Sequence, residues 1–112
     1  MAWTAFANGK SLGTRGSEGG VIRRDEENDL GARITLEEGG WTAPWSITCG
    51  IYGWMVHTRH FASAEEGERE FEAMKVGLDE VLRIIPSETD ATPEKTSAVS
   101  SAIKAFVERF PT

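Results

Sequence analysis

Between Ser63 and Pro86 the apolar residues Phe71, Met74, Leu78, Val81, Leu82 and Ile85 recur at spacings of three and four. That repeat gathers them on one side of an α-helix, and a helix with a single apolar stripe is stable only when another element covers the stripe. Residues 63 to 85 are therefore predicted to form an amphipathic helix laid across a sheet. Ser63 and Glu66 make a capping box, and Glu65, Glu66 and Glu68 crowd the first turns, where the helix dipole favours negative charge. Pro86 ends the element. Gly67 falls on the stripe, where a missing side chain permits close approach to the sheet despite the cost in helix propensity, about 1 kcal/mol.

The strands that this helix would cover are sought upstream. Arg33, Thr35 and Glu37 alternate with Ile34 and Leu36 at the period of a half-buried strand, and Val21 to Glu26 is its expected partner. Asn28, Asp29 and Gly31 supply turn residues between the two, which predicts a hairpin with one wet face. From Trp41 to Phe61 there is almost no charge until Arg59, as expected for the centre of the sheet. Taken as one strand, one side shows Ile47, Cys49, Ile51, Gly53 and Met55, and the other Thr48, Tyr52, Trp54 and Val56, so both faces read as largely apolar. A straight strand from Ser46 to Phe61 would span roughly 50 Å, too long for a globule about 35 Å across. Gly50 and Gly53 are the places to bend it or to turn it back. A bent strand is preferred, because Ile51 and Tyr52 are poor turn residues.

Downstream, Thr92 as cap and Pro93 at the first position open a second helix with Val99, Ala102, Ile103, Phe106 and Phe110 on its buried side. The expected fold class is α+β: a three- to four-stranded antiparallel β-meander followed by two C-terminal α-helices packed on one face of the sheet. Residues 1–20, rich in glycine, read as an arm or long loop, with Trp3 and Phe6 able to pin a short strand onto the core or onto a second subunit. Residues 21–112 form a single domain, since 112 residues are too few for two independent cores.

Composition narrows the function classes. A net charge of −6 repels polyphosphate backbones and anionic lipid headgroups, which disfavours nucleic acid and membrane surfaces as partners. No apolar run approaches the length of a membrane span, and the start MAWTAFANGK lacks the order of a signal peptide, so a cytoplasmic location is expected. Cys49 is the only cysteine, which excludes an internal disulfide and fits a reducing compartment.

Motif by motif, specific chemistry is scarce. Asn8-Gly9-Lys10-Ser11 resembles the tail of a phosphate-binding loop, but Thr4 stands where that loop needs its first glycine. The acidic run from Asp25 to Gly31 suggests a calcium loop until Leu30 takes a ligand position. His57 and His60, three apart, would point to opposite faces of a regular strand. Cys49 and His57 share a face, yet lie roughly 26 Å apart along one extended strand and could meet only through a fold-back at Gly50 to Gly53. No catalytic residue, metal ligand or cofactor is therefore assigned.

Trp41, Trp45, Tyr52, Trp54 and His57 form the densest aromatic group and are the candidate ligand-binding residues. The expected function is a small non-catalytic binding or assembly domain acting through protein–protein contacts, its acidic surface suited to a basic partner. The alternative is a small-molecule-binding protein or small enzyme using the aromatic Trp41–His60 segment. A homodimer is expected as well, because a strand apolar on both sides needs cover on the face that the helices leave bare.

Overall fold

The stripe on the long helix finds its sheet. In the computed structural model, which describes residues 2 to 112 and so leaves residue 1 of the expected arm outside, five strands pair as an antiparallel meander in chain order. They are β1 (Trp3–Ala5), β2 (Val21–Asn28), β3 (Ala32–Glu38), β4 (Trp45–Ile51) and β5 (Met55–Phe61). Two helices follow, α1 (Ala64–Leu82) and α2 (Pro93–Arg109). The α+β class holds, whereas the three or four strands expected become five. One of the additional strands is the short β1, which pairs with the end of β2, Trp3 facing Asn28.

The other comes from a correction within Trp45 to Phe61. This segment is a hairpin and not one bent strand: Trp45 pairs with Phe61, Cys49 with His57 and Ile51 with Met55. The turn spans Tyr52 to Trp54, with Gly53 at a φ of 81°, a left-handed conformation that costs glycine nothing. Tyr52 is a poor turn residue by propensity, but its backbone N–H donates to the Gly31 carbonyl across the neighbouring hairpin end. The Trp54 amide closes the turn on the Ile51 carbonyl, and the tertiary bond from Tyr52 adds to it.

α1 lies across β3, β4 and β5, and Ile34, Leu36, Ile47, Phe71, Met74 and Leu78 are completely buried between the two layers. Its start is as expected, with Ser63 Oγ accepting from the Glu66 amide. It ends at Leu82, so Ile85 joins the core margin from the following turn and not from the helix. Gly67 comes close to Leu36, as its place on the stripe implied. α2 packs mainly on α1, so only one of the two helices expected on the sheet lies across it; α2 is capped by Thr92, whose side chain accepts from the Lys95 amide. Gly77 makes the helix pair possible: a methyl group there would stand 2.9 Å from both the Phe106 and Phe110 rings. The end of α2 reaches the sheet where Phe106 packs edge-on to His57 and the Phe110 carbonyl bonds His57 Nε2.

Charges fasten the margin of this interface. Arg24 lies over the Phe71 ring and donates to Glu26, Glu68 and Glu72, while Lys75 reaches Glu26 at 2.7 Å. Burial alone would raise the Glu26 pKa, but the hydrogen bonds from Lys75 and Arg24 outweigh it and hold the carboxyl below its ordinary range. Trp3 Nε1 donates to Asp79 and ties β1 to α1 as well.

Candidate functional site

Strand alternation decides what the opposite face of the sheet carries. With Ile34, Leu36, Ile47 and Cys49 turned toward α1, the register puts Asp25, Arg33, Thr35, Glu37, Ser46, Thr48, Gly50, Val56, Thr58 and His60 on the open side. A bulge between Ile22 and Arg24 shifts the parity of β2 and adds Ile22 to that side. The open face is therefore mostly polar, which corrects the expectation of a strand apolar on both sides. The reason is the hairpin: folding back at Tyr52 to Trp54 moves these two aromatics out of the strand, and Val56 remains as the large apolar residue on this part of β5.

The glycine-rich segment folds over this face. Glu37, expected on a wet face, is only 1% exposed. Its carboxylate accepts the amides of Glu18 and Gly20 at 3.1 to 3.3 Å. Gly16 lies so close beneath that any side chain would collide with the Glu37 carboxylate. Gly13 and Thr14 exchange backbone hydrogen bonds with Ile22, and Glu18 also bonds His60 at 3.3 Å. Trp41, 76% exposed, lays its indole against Gly19. Beside this wall, Asp25 is buried and accepts from Arg33 and from Thr35 Oγ1, while the Arg33 guanidinium stacks 3.4 Å above the Phe6 ring.

Between the folded segment and β5 runs an open groove of about 860 Å³. Its floor includes Thr35, Thr48 and Gly50. One wall is Ser11, Thr14 and Arg15, and the other end is formed by Tyr52, Trp54 and Val56. Thr48 and Thr58 satisfy one another through a hydroxyl hydrogen bond, so the charged groups beside the floor come from β3, as Arg33 and Glu37 on either side of Thr35.

Of the aromatic residues singled out in the sequence, Tyr52 and Trp54 line the groove. Trp45 and His57 belong to the α1 side, and Trp41 stands on the far side of the glycine-rich segment. The structure does not gather them: Trp45 and Tyr52 sit at opposite ends of β4, roughly 23 Å apart. Of the groove residues not assigned to a site from the sequence, Arg15 and Thr48 carry no motif, Ser11 belongs to the incomplete phosphate-loop pattern, and Gly50 was read only as a bend. Alternation in β3 and the glycine density between Gly9 and Gly20 were the available signals, and neither reveals that one lies over the other.

The hairpin does bring Cys49 and His57 opposite one another, as the required fold-back would. The pair is nevertheless poorly suited to nucleophilic work. Burial pushes the Cys49 thiol up to about 12, with the Arg59 charge only partly opposing it. His57 Nε2 is engaged by the Phe110 carbonyl. His60 faces the other side of the sheet, and among the described residues no group of three or more His, Cys, Asp or Glu side chains could hold a metal ion. No family model, curated protein or solved structure matches the chain.

Cys49 is expected to resist a thiol reagent in native buffer at mildly alkaline pH and to react fully in denaturant. Rapid native labelling would show that the thiol is open and ionisable, contrary to its burial.

Proposed function

We propose that the protein is a non-catalytic binding domain whose working surface is the groove on the open face of the sheet, and that its occupant is a small molecule. The observation that carries this is the groove itself: about 860 Å³ of concave surface with threonine and glycine on its floor and an aromatic end, within the size range of small-molecule sites. The state of its ionisable groups supports binding over catalysis. Glu37 is held by backbone amides, Arg33 is paired with buried Asp25, and the Cys49 thiol stays protonated. A basic protein partner, suggested by the acidic composition, suits this groove less well, because the charged side chains at its rim are Arg15 and Arg33. The single buried cysteine supports a reducing, cytoplasmic setting, and no helix among the described residues is long and apolar enough to cross a membrane.

A fragment screen read by amide chemical shifts tests the proposal. Hits are expected to converge on Thr48, Gly50 and Val56 and to vanish in Thr48→Trp, which fills the floor while preserving the shifts of α1. Hits that instead collect in the smaller cleft of about 190 Å³ between α1 and α2, beside Gly77 and Phe106, would overturn it.

A homodimer is proposed too, on a surface other than the one the sequence suggested. β5 is an outer strand of the sheet, and Val56 on it and Tyr52 beside it are 80% and 92% exposed. An unpaired edge favours strand addition by a second copy, and because Val56 and Tyr52 also line the groove, that copy would border its aromatic end. Sedimentation equilibrium should show a dimer that Val56→Lys weakens by about tenfold or more. A monomer at high micromolar concentration, with or without the substitution, would contradict it.

A further inference from the structure

We infer that the groove selects an anionic amphiphile, a small molecule with a flat apolar body and a single oxyanion head, and that Arg15 receives the head; this rests on the small-molecule reading above. The groove has two chemically distinct ends. At one, Tyr52, Trp54 and Val56 present apolar surface, and Gly50 leaves the strand floor bare for a flat body to lie on. At the other, the lining includes Ser11, Thr14 and Arg15 together with Ile22 and Glu37.

Charge decides the sign of the head. Of the two arginines in the lining, Arg33 already holds the Asp25 carboxylate through two hydrogen bonds. Arg15 makes no ion pair among the described residues. The one carboxylate in the lining, Glu37, has its charge met by the amides of Glu18 and Gly20. The groove therefore offers a free cation within a protein of net charge −6, and an anion is drawn to this end and away from the rest of the surface. A guanidinium matches an oxyanion with more than one acceptor oxygen, because its planar fork donates two parallel hydrogen bonds.

Distance sets the body. The open face between β2, which borders the folded segment, and β5 spans three strand spacings, roughly 14 Å. That is the reach of a molecule of two or three fused or linked rings, or of a medium-length chain.

Two probes that share one ring system separate charge from shape: 8-anilino-1-naphthalenesulfonate, and N-phenyl-1-naphthylamine, which lacks the sulfonate. Binding of each to the full chain is titrated by fluorescence, for the wild type, Arg15→Gln, Arg15→Lys and the floor-filling Thr48→Trp. The sulfonate should bind the wild type about fivefold or more tightly than the neutral probe. Arg15→Gln should abolish that preference without changing affinity for the neutral probe, and Arg15→Lys should restore part of it. If Thr48→Trp blocks both probes while Arg15→Gln leaves their ratio unchanged, the groove binds small molecules but the anion assignment is wrong. If Thr48→Trp weakens neither probe, the groove is not the binding surface and the underlying proposal fails with it.

Discussion

A buried carboxylate organises the open side of this protein. Glu37 lies on β3 beneath the glycine-rich segment, and a charge in that position is tolerable only if it is hydrogen-bonded. The amides of Glu18 and Gly20 meet that need, and bonds of this kind to a charged group contribute about 1.5–3 kcal/mol each. The same bonds fix a stretch whose composition favours freedom. Gly16 shows why glycine is required there, since the segment passes too close to the carboxylate for any side chain. With the segment in place, Ile22 is covered, Glu18 reaches His60, and the sheet face acquires a wall. Without it the face would be a shallow polar surface and there would be no groove.

The two faces of the sheet divide the work. On one, α1 and α2 close a core in which Leu36, Ile47, Phe71 and Leu78 are fully buried, and the ring of charges around Arg24 and Lys75 seals its margin. Cys49 and His57 belong to that layer, where burial and the Phe110 carbonyl make them structural. On the other face the residues are small or polar, and Gly50 and Thr48 leave space above the strands. A helix-backed sheet thus carries an open surface whose shape is set by a loop.

How much of this was legible in the sequence follows from how local each signal is. α1 and α2 are visible because their stripes, caps and terminating prolines all lie within the elements themselves, and Ser63 and Thr92 cap as their spacing indicates. The β2–β3 hairpin is visible for the same reason, with Asn28 Oδ1 bonding the Leu30 and Ala32 amides across the turn. The β4–β5 turn is not. Tyr52 and Trp54 have strand character, and the turn is closed by the Trp54 amide on the Ile51 carbonyl together with a bond from Tyr52 to Gly31, a contact between hairpin ends. Reading them as strand residues produced both the wrong strand count and the wrong polarity for the open face. The groove is least legible of all. It joins Arg15 to Val56 through the fold, and the pairing of Glu37 with Glu18 and Gly20 leaves no spacing to read. The aromatic cluster, dense in sequence, is dispersed because successive residues of a hairpin turn to different faces and different ends.

Glu37 holds the glycine-rich segment against the sheet, and hydrogen exchange measures that hold residue by residue. The amides of Glu18 and Gly20 should exchange slowly, at rates close to those of paired amides in β3, because opening them would strand a buried charge. Exchange of both at unprotected rates while β3 stays protected would contradict the account, since the segment would then be free of Glu37 and the groove would lose its wall.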